Sequence, residues 1–281
     1  ALQPVCGKQE TGVGLCDLSG NAAEWVWDGV GPYPSGSVVD PDGDPDGALR
    51  GVRGGSYLDP ATSVRVMRRA ALAADDASTD VGFRLVRTAP RAPGMAWVAG
   101  EVGSVRYVPP GAFTRGCVVG RDDVDGVVCA TQVAELPPHD VTLTRGFWAM
   151  EAEVTQDQWQ ALRSTNPSAN PACGGDCPVE DITWQEAVAF ANSVSDRFGL
   201  PRCYGGSFGD VVDPLASGSP YAAPGGACPP RRSGRGWLAP APRIPTRAGR
   251  RERPWAGWRP TAADPSSPAA ASPPRRGVCA I

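Results

Sequence analysis

At Cys228 the chain changes chemistry, and that break limits what can fold. Before it, 28 Asp and Glu stand against 16 Lys and Arg, a net charge of −12. From Cys228 to Ile281 there are 11 Arg, no Lys and only Glu252 and Asp264, a net of +9. That tail has too little apolar content to build a core and is expected to be disordered. Any core must come from the residues before it. These are rich in turn formers: the 281-residue chain holds 35 Gly and 30 Pro, which favours loops and short strands over a helical bundle. No run approaches the roughly 18 apolar residues that a membrane span requires. The chain opens at Ala1 without a leader, so no targeting signal is legible.

Of the nine Cys, several stand close together in sequence: Cys6 and Cys16, Cys117 and Cys129, Cys173 and Cys177. In an acidic, Gly- and Pro-rich chain this spacing reads first as the disulfides of an exported protein. Zinc is the rival reading. It is disfavoured by a single His and by the lack of a repeated C-x-x-C pair.

Two helix starts are well marked. In "VTQDQW", Thr155 is an N-cap, Gln158 completes a capping box, and Val154 and Trp159 form a hydrophobic staple. "ITWQEAVAFANSVSDRFGLP" repeats the device with Thr183 and Glu186. Trp184, Ala187, Val188, Ala191, Val194 and Phe198 follow at helical spacing, and Gly199 and Pro201 stop the helix. "VGFRLVRT" (81–88) reads as a half-buried strand with Phe83 and Leu85 on one face and Arg84 between them. "VRYVPPGAF" is extended and interrupted by two prolines, and "HDVTLTRGFWAMEAEV" gives a hairpin or two consecutive strands turning at Arg145-Gly146. The class is α+β.

Few residues offer chemistry. His139 is the only His, sits among strand-like residues and reads as structural; a hydrolytic triad or a multi-His iron centre is disfavoured. "DPDGDPDG" (40–47) places Asp42, Asp44, Asp46 and Gly47 in calcium-loop order, but its twelfth position is Arg53, so a solvated turn is the better reading. "GLCDLSGNAAEWVWD" (14–28) is more specific. Asp17 and Glu24 bracket a turn at Gly20-Asn21, and two carboxylates plus turn carbonyls suit a hard cation; a turn capped by Asp17 fits equally well.

"GLCDLSGNAAEWVWD", "LRGGSYLDP" and "VGFRLVRT" resemble, in order, the C-terminal half of the formylglycine-generating enzyme (sulfatase-modifying factor) superfamily. "VPPGAFTRG", "HDVTLTRGFWAMEAEVTQDQWQAL", "NPS" and "CPVEDITWQEAVAFANSVS" resemble its N-terminal half. The halves stand in reversed order, the end of one copy before the start of a second. This divides the chain into a C-terminal half at 1–90, a linker at 91–100, an N-terminal half at 101–227 and the basic tail at 228–281.

The resemblance implies a Gly-rich, C-type-lectin-like α+β fold, here incomplete, with bound calcium. Carried over by motif, Asp17, the carbonyls of Gly20 and Ala22, and Glu24 are the calcium ligands. Catalytic members oxidise a substrate cysteine to formylglycine with oxygen and a copper(I) ion held by two cysteines. The matching positions in "RGGSYLDPATSVRVMRR" carry Asp59 and Val64, so copper is not expected in this chain. The middle of the domain is in neither half. The two halves are therefore expected not to fold together, leaving apolar surface exposed around Trp159 and Trp184.

The resemblance also expects a segment close to Arg-Leu-Pro-Thr-Glu-Ala-Glu-Trp-Glu after the second helix, where this chain has "CPPRRSGRGWLA". Synonymous codons for Cys228–Ala239, shifted by one base, encode Leu-Pro-Thr-Glu-Ala-Glu-Trp-Glu-Arg-Val-Ala-Arg. The tail then reads as out of frame, the shift lying between Cys203 and Cys228, which accounts for the absence of Asn, Gln, His, Tyr, Phe and Met from 229–281. The rival is a genuine nucleic-acid-binding tail, with Arg231 to Arg259 for phosphates and Trp237, Trp255 and Trp258 for stacking; it is the weaker reading. The functional expectation is a non-catalytic, calcium-binding or structural module, or a gene fragment. It would act outside the cytoplasm (periplasmic or secreted) on an unidentified protein or peptide partner. The enzymatic alternative is one part of a tandem copper-dependent oxidase.

Overall fold

In a computed structural model of the chain, residues 1–8, 10–41, 43–44, 47–88, 103–123, 129–199, 202, 204 and 279–280 are described. The expected linker, the residues from 205 to 278, and Asp42 and Asp46 of the Asp-rich turn lie outside them. Strands β1 (Ala23–Gly29), β2 (Val38–Val39), β3 (Leu49–Arg53), β4 (Arg69–Ala73), β5 (Val81–Gly82) and β6 (Leu85–Thr88) come from the first segment. β7 (Val105–Val108), β8 (Gly111–Arg115), β9 (His139–Leu143) and β10 (Phe147–Met150) precede helices α1 (Gln156–Arg163) and α2 (Trp184–Arg197), and β11 (Cys279–Ala280) closes the series. The architecture is α+β, with three sheets ordered β4-β3-β1-β5, β11-β6-β10-β7 and β2-β9-β8.

Both helices begin as their sequences dictate. Gln158 N donates to Thr155 Oγ1 at 3.3 Å while Thr155 N donates to Gln158 Oε1 at 3.0 Å. Thr183 and Glu186 repeat the exchange at 3.1 and 2.8 Å. Each box satisfies two backbone donors that a helix start leaves open, a contribution of about 1 kcal/mol. Ser164 then takes a left-handed φ of 59° after α1, and Gly199 one of 60° after α2.

Two expectations fail. Helical spacing makes Trp184 a core residue, but separate halves would leave apolar surface exposed around it and Trp159; instead the two are 4% and 2% accessible. The two segments share one core, in which Trp25, Val52, Phe83 and Leu85 of the first pack with Val154, Trp159, Phe190 and Val194 of the second. The Phe83 ring meets Trp159 and Phe190 edge-on at 6.1 and 5.6 Å, and those two stack at 5.0 Å. Backbone pairing crosses as well. β10 pairs with β6 and β7, β2 runs beside β9, and Val154 N donates to Phe83 O at 2.9 Å. The halves supply complementary sheet edges, and that closes a core which either alone would leave open.

The second failure is local. "VGFRLVRT" is not one alternating strand: it breaks into β5 and β6, and at the break Arg84 turns inward to 1% accessibility. Glycine permits the close approach just before it, since a Cβ at Gly82 would lie 2.5 Å from Val179 O. The consecutive-strand reading of "HDVTLTRGFWAM" holds, but β9 and β10 enter different sheets rather than forming a hairpin. β11 pairs antiparallel with β6, Cys279 opposite Val86 and Ala280 opposite Leu85.

Candidate functional site

The turn that leads into β1 is built on positive φ angles at Asp17 (53°), Gly20 (91°) and Asn21 (58°). It is held from both sides. Cys6 N donates to Asp17 Oδ2 at 2.6 Å, and the Cys6–Cys16 disulfide ties the preceding loop down beside it. Gly20 N donates to Gly54 O at 3.2 Å, and Asn21 O accepts from Tyr57 N at 2.8 Å. Ala22 is buried at 1% and Glu24 at 9%.

Glu24 is engaged by Arg84, a partner that the alternating-strand reading had turned toward solvent. Arg84 Nε lies 2.9 and 2.8 Å from the two Glu24 oxygens, and Nη2 reaches Oε1 as well. The rest of the guanidinium donates to the carbonyls of Cys16 (2.9 Å), Met150 (3.1 Å) and Glu151 (3.0 Å). Burial by itself would lower the Arg84 pKa. The charge and hydrogen bonds of Glu24, with Glu153 and Asp17 beyond it, outweigh burial and hold the pKa above the ordinary guanidinium value.

Glu153 is the other residue that sequence reasoning missed. It is 0% accessible and neither carboxyl oxygen has a hydrogen-bond partner among the described residues. Burial first, then the charges of Glu24 and Asp17, push its pKa well above the carboxylate range, and Arg84 offsets this only in part. No local pattern marks it, because a residue next to the staple residue Val154 in an extended segment would be expected on the opposite side.

Three carboxyl groups thus stand near one guanidinium, and Glu153 avoids an unpaired buried charge by keeping its proton. All available donors are oxygens, which is calcium's preference. Asp17, Glu24 and Glu153 do not bring their oxygens within 4.8 Å of one another, so an ion there would draw on the carbonyls of Gly20 and Ala22 as well. Among the described residues the one tighter group, Cys6, Cys16 and Glu151, offers no thiolate because its cysteines are bonded to each other.

The loop from Ser56 to Val64 is the second site. Asp59 Oδ2 accepts from Ser56 N at 2.9 Å and lies 3.3 Å from Ser56 Oγ, which is nearer to Asp80 Oδ2 at 2.7 Å. Ser78 Oγ donates to the other Asp80 oxygen. The chain can fold back so tightly because Gly55 has a φ of 70°, with Ser63 O only 2.9 Å from where a Cβ would stand. Asp59, Arg68, Ser78 and Asp80 border a cavity of about 190 Å³ whose apolar wall includes Val52, Ala70, Leu72 and Val81.

Copper does not fit this loop. Copper(I) wants soft sulfur donors, and Asp59 and Val64 offer a carboxylate already bonded to backbone and an isopropyl group. Cys6, Cys16, Cys117, Cys129, Cys173 and Cys177 are all consumed in disulfides, as their spacing predicts. His139, read as structural, is a 5% accessible residue of β9 that accepts from Arg115 Nε at 3.2 Å.

Comparison with known proteins fits this geometry. A 98-residue stretch is 37% identical to the formylglycine-generating enzyme of Streptomyces coelicolor, covering 33% of this chain and 31% of that protein. A 94-residue stretch is 33% identical to the chaperone protein LppX of Paenibacillus barcinonensis, covering 32% of each. The chain therefore matches about a third of the length of these curated relatives. No solved structure matches it. A sequence profile of the sulfatase-modifying factor enzyme 1-like domain matches residues 1–89 and 98–249, running past Cys228 into the basic segment. By that match over most of its length, the chain belongs to the sulfatase-modifying factor enzyme 1-like domain family.

Proposed function

We propose that this chain is a non-catalytic member of its family, a calcium-stabilised binding module that works outside the cytoplasm. The observation that carries this reading is Asp59 with Val64. At the two positions where the family resemblance places the copper cysteines, this loop has a carboxylate and an isopropyl group and no sulfur to offer. The neighbouring turn keeps an oxygen-only donor set, Asp17 and Glu24 with the Gly20 and Ala22 carbonyls, and buries an uncompensated carboxyl at Glu153 beside it. Calcium would bring positive charge beside Asp17 and Glu24, favour the ionised form of Glu153 and pin the turn to β1. Three disulfides support an oxidising compartment, and among the described residues no helix is long and apolar enough to cross a membrane.

The test of the non-catalytic reading is oxygen consumption. The purified protein, loaded with copper(I) and offered a cysteine-containing peptide, should consume no oxygen above the free-metal control. Turnover that depends on both peptide and protein would overturn the reading in favour of the oxidase. The out-of-frame reading of the segment from Cys228 belongs to the same proposal, and sequencing the gene across codons 200 to 240 tests it.

A further inference from the structure

The outer face of the first sheet carries a charge arrangement that neither site uses. Arg53 of β3 and Arg69 of β4 stand directly opposite each other in the antiparallel register. Arg115, at the end of β8 in a different sheet, comes to the same place. All three guanidinium groups converge on Tyr33. Arg53 Nη2 donates to the Tyr33 hydroxyl at 2.6 Å, and the Arg69 and Arg115 guanidinium carbons lie 4.5 and 4.8 Å from its ring centroid. Like charges directly across a strand pair destabilise a sheet, and packing one aromatic ring needs only one guanidinium.

The local counter-charge is thin. Asp28 pairs with Arg115 at 3.4 Å but also faces Arg50 and Arg69, and the Asp44 carboxylate lies nearby against Gly31. Burial lowers the Arg69 pKa, and the neighbouring charges of Arg53 and Arg115 lower it further, against the opposing effects of Tyr33 and Asp28.

The donors are partly committed in a way that fixes their direction. Arg69 gives Nη1 to Gly31 O at 2.7 Å. Arg115 gives Nε to His139 Nε2 at 3.2 Å, which assigns the ring proton to Nδ1, 3.1 Å from Pro137 O. Arg115 also gives Nη1 to Asp28 Oδ2 at 3.4 Å, and Arg53 gives Nη1 to the carbonyls of Met67 and Arg68. Arg69 Nε and Nη2 and Arg115 Nη2 have no protein acceptor among the described residues, and both side chains are only partly buried. Tyr33 accepts from Arg53, so its own hydroxyl proton is free to donate. Held guanidinium edges beside a hydroxyl donor match the oxygens of a tetrahedral dianion, which arginine binds through paired hydrogen bonds.

We propose that Tyr33, Arg53, Arg69 and Arg115 form an oxyanion site that takes the phosphate group of a phosphate monoester. Inorganic phosphate is the first probe, titrated into the full chain by calorimetry and by thermal melting, with sodium chloride at matched ionic strength as control. Phosphate should raise the melting temperature where chloride does not. Binding should weaken at least tenfold in Arg69→Met and in Arg115→Met, which keep the apolar stem over Tyr33. Tyr33→Phe keeps the ring and removes only the hydroxyl, so a several-fold loss in a variant that still melts cooperatively separates binding from folding. Arg106→Met, at an exposed pair with Glu151 elsewhere on the surface, should leave phosphate affinity unchanged. Glycerol phosphate and a phosphoserine peptide distinguish a small metabolite from a modified protein as the source of the group. A phosphate response no larger than that of chloride, or one that survives in all three site variants, would overturn the proposal.

Discussion

The Asp17–Glu24 turn and the Ser56–Val64 loop touch each other, yet on the proposed reading only the turn can hold a metal. Gly20 N donates to Gly54 O and Tyr57 N to Asn21 O, so the two share a backbone scaffold. In the turn, the donors for an ion are side-chain and main-chain oxygens that also brace the fold, through Asp17 to Cys6 N and Glu24 to Arg84. In the loop, shape depends on main-chain bonds, on Gly55 and on the Ser56–Asp59 contact, none of which needs a cysteine. Soft ligands could therefore be lost from the loop without unfolding it, whereas hard ligands in the turn are tied to stability. A ligand that also holds the structure is harder to lose than one that only holds a metal.

Breaking the turn should cost most. Arg84→Met leaves Glu24 and Glu153 buried without a cation, and removing one partner of a buried pair costs about 3–5 kcal/mol. Urea unfolding should show that loss in the metal-free protein. A cost near zero would mean that Glu24 does not rely on Arg84.

A smaller effect follows from Glu153, whose folded-state pKa is raised. The folded protein then holds a proton that the unfolded chain releases at ordinary carboxylate pH. Stability is full below that range and falls as pH rises toward the raised value, with a slope of up to about 1.4 kcal/mol per pH unit. In Glu153→Gln this component of the slope should vanish, and unfolding curves of the two proteins across pH 4 to 8 measure the difference. Parallel curves would show that Glu153 titrates normally.

In the loop the expected costs are modest. Asp59→Ala removes the contacts to Ser56 and should lose about 1 kcal/mol. Asp59→Cys with Val64→Cys should cost no more and should gain copper(I) binding in a competition titration with a colorimetric chelator. Failure to gain it would mean that the loop has lost more than its ligands.

How much of this was legible in the sequence depends on the range of the signal. Both capping boxes, the three disulfides and the burial of Trp184, Ala187, Val188, Ala191 and Val194 follow from spacings of a few residues, and each is present. The Arg84–Glu24 pair spans 60 residues and rests on a strand break that no period-2 pattern announces. The union of the two segments rests on pairings such as Phe147 with Thr88, which depend on matching sheet edges rather than on local propensity. Arg115 meeting Arg69 and Tyr33 is of the same kind, since three separate chain stretches had to be placed before their charges could be compared.

The central claim is that the oxygen site binds calcium although the sulfur site is gone, and a calcium titration followed by melting temperature tests it most directly. A ligand of the native state at about a hundred times its dissociation constant adds about 2.7 kcal/mol, so calcium should raise the melting temperature by several degrees. Asp17→Asn with Glu24→Gln should abolish that rise, while Asp59→Ala should leave it intact. No rise in the unaltered protein, or an equal rise in the Asp17/Glu24 variant, would contradict the account.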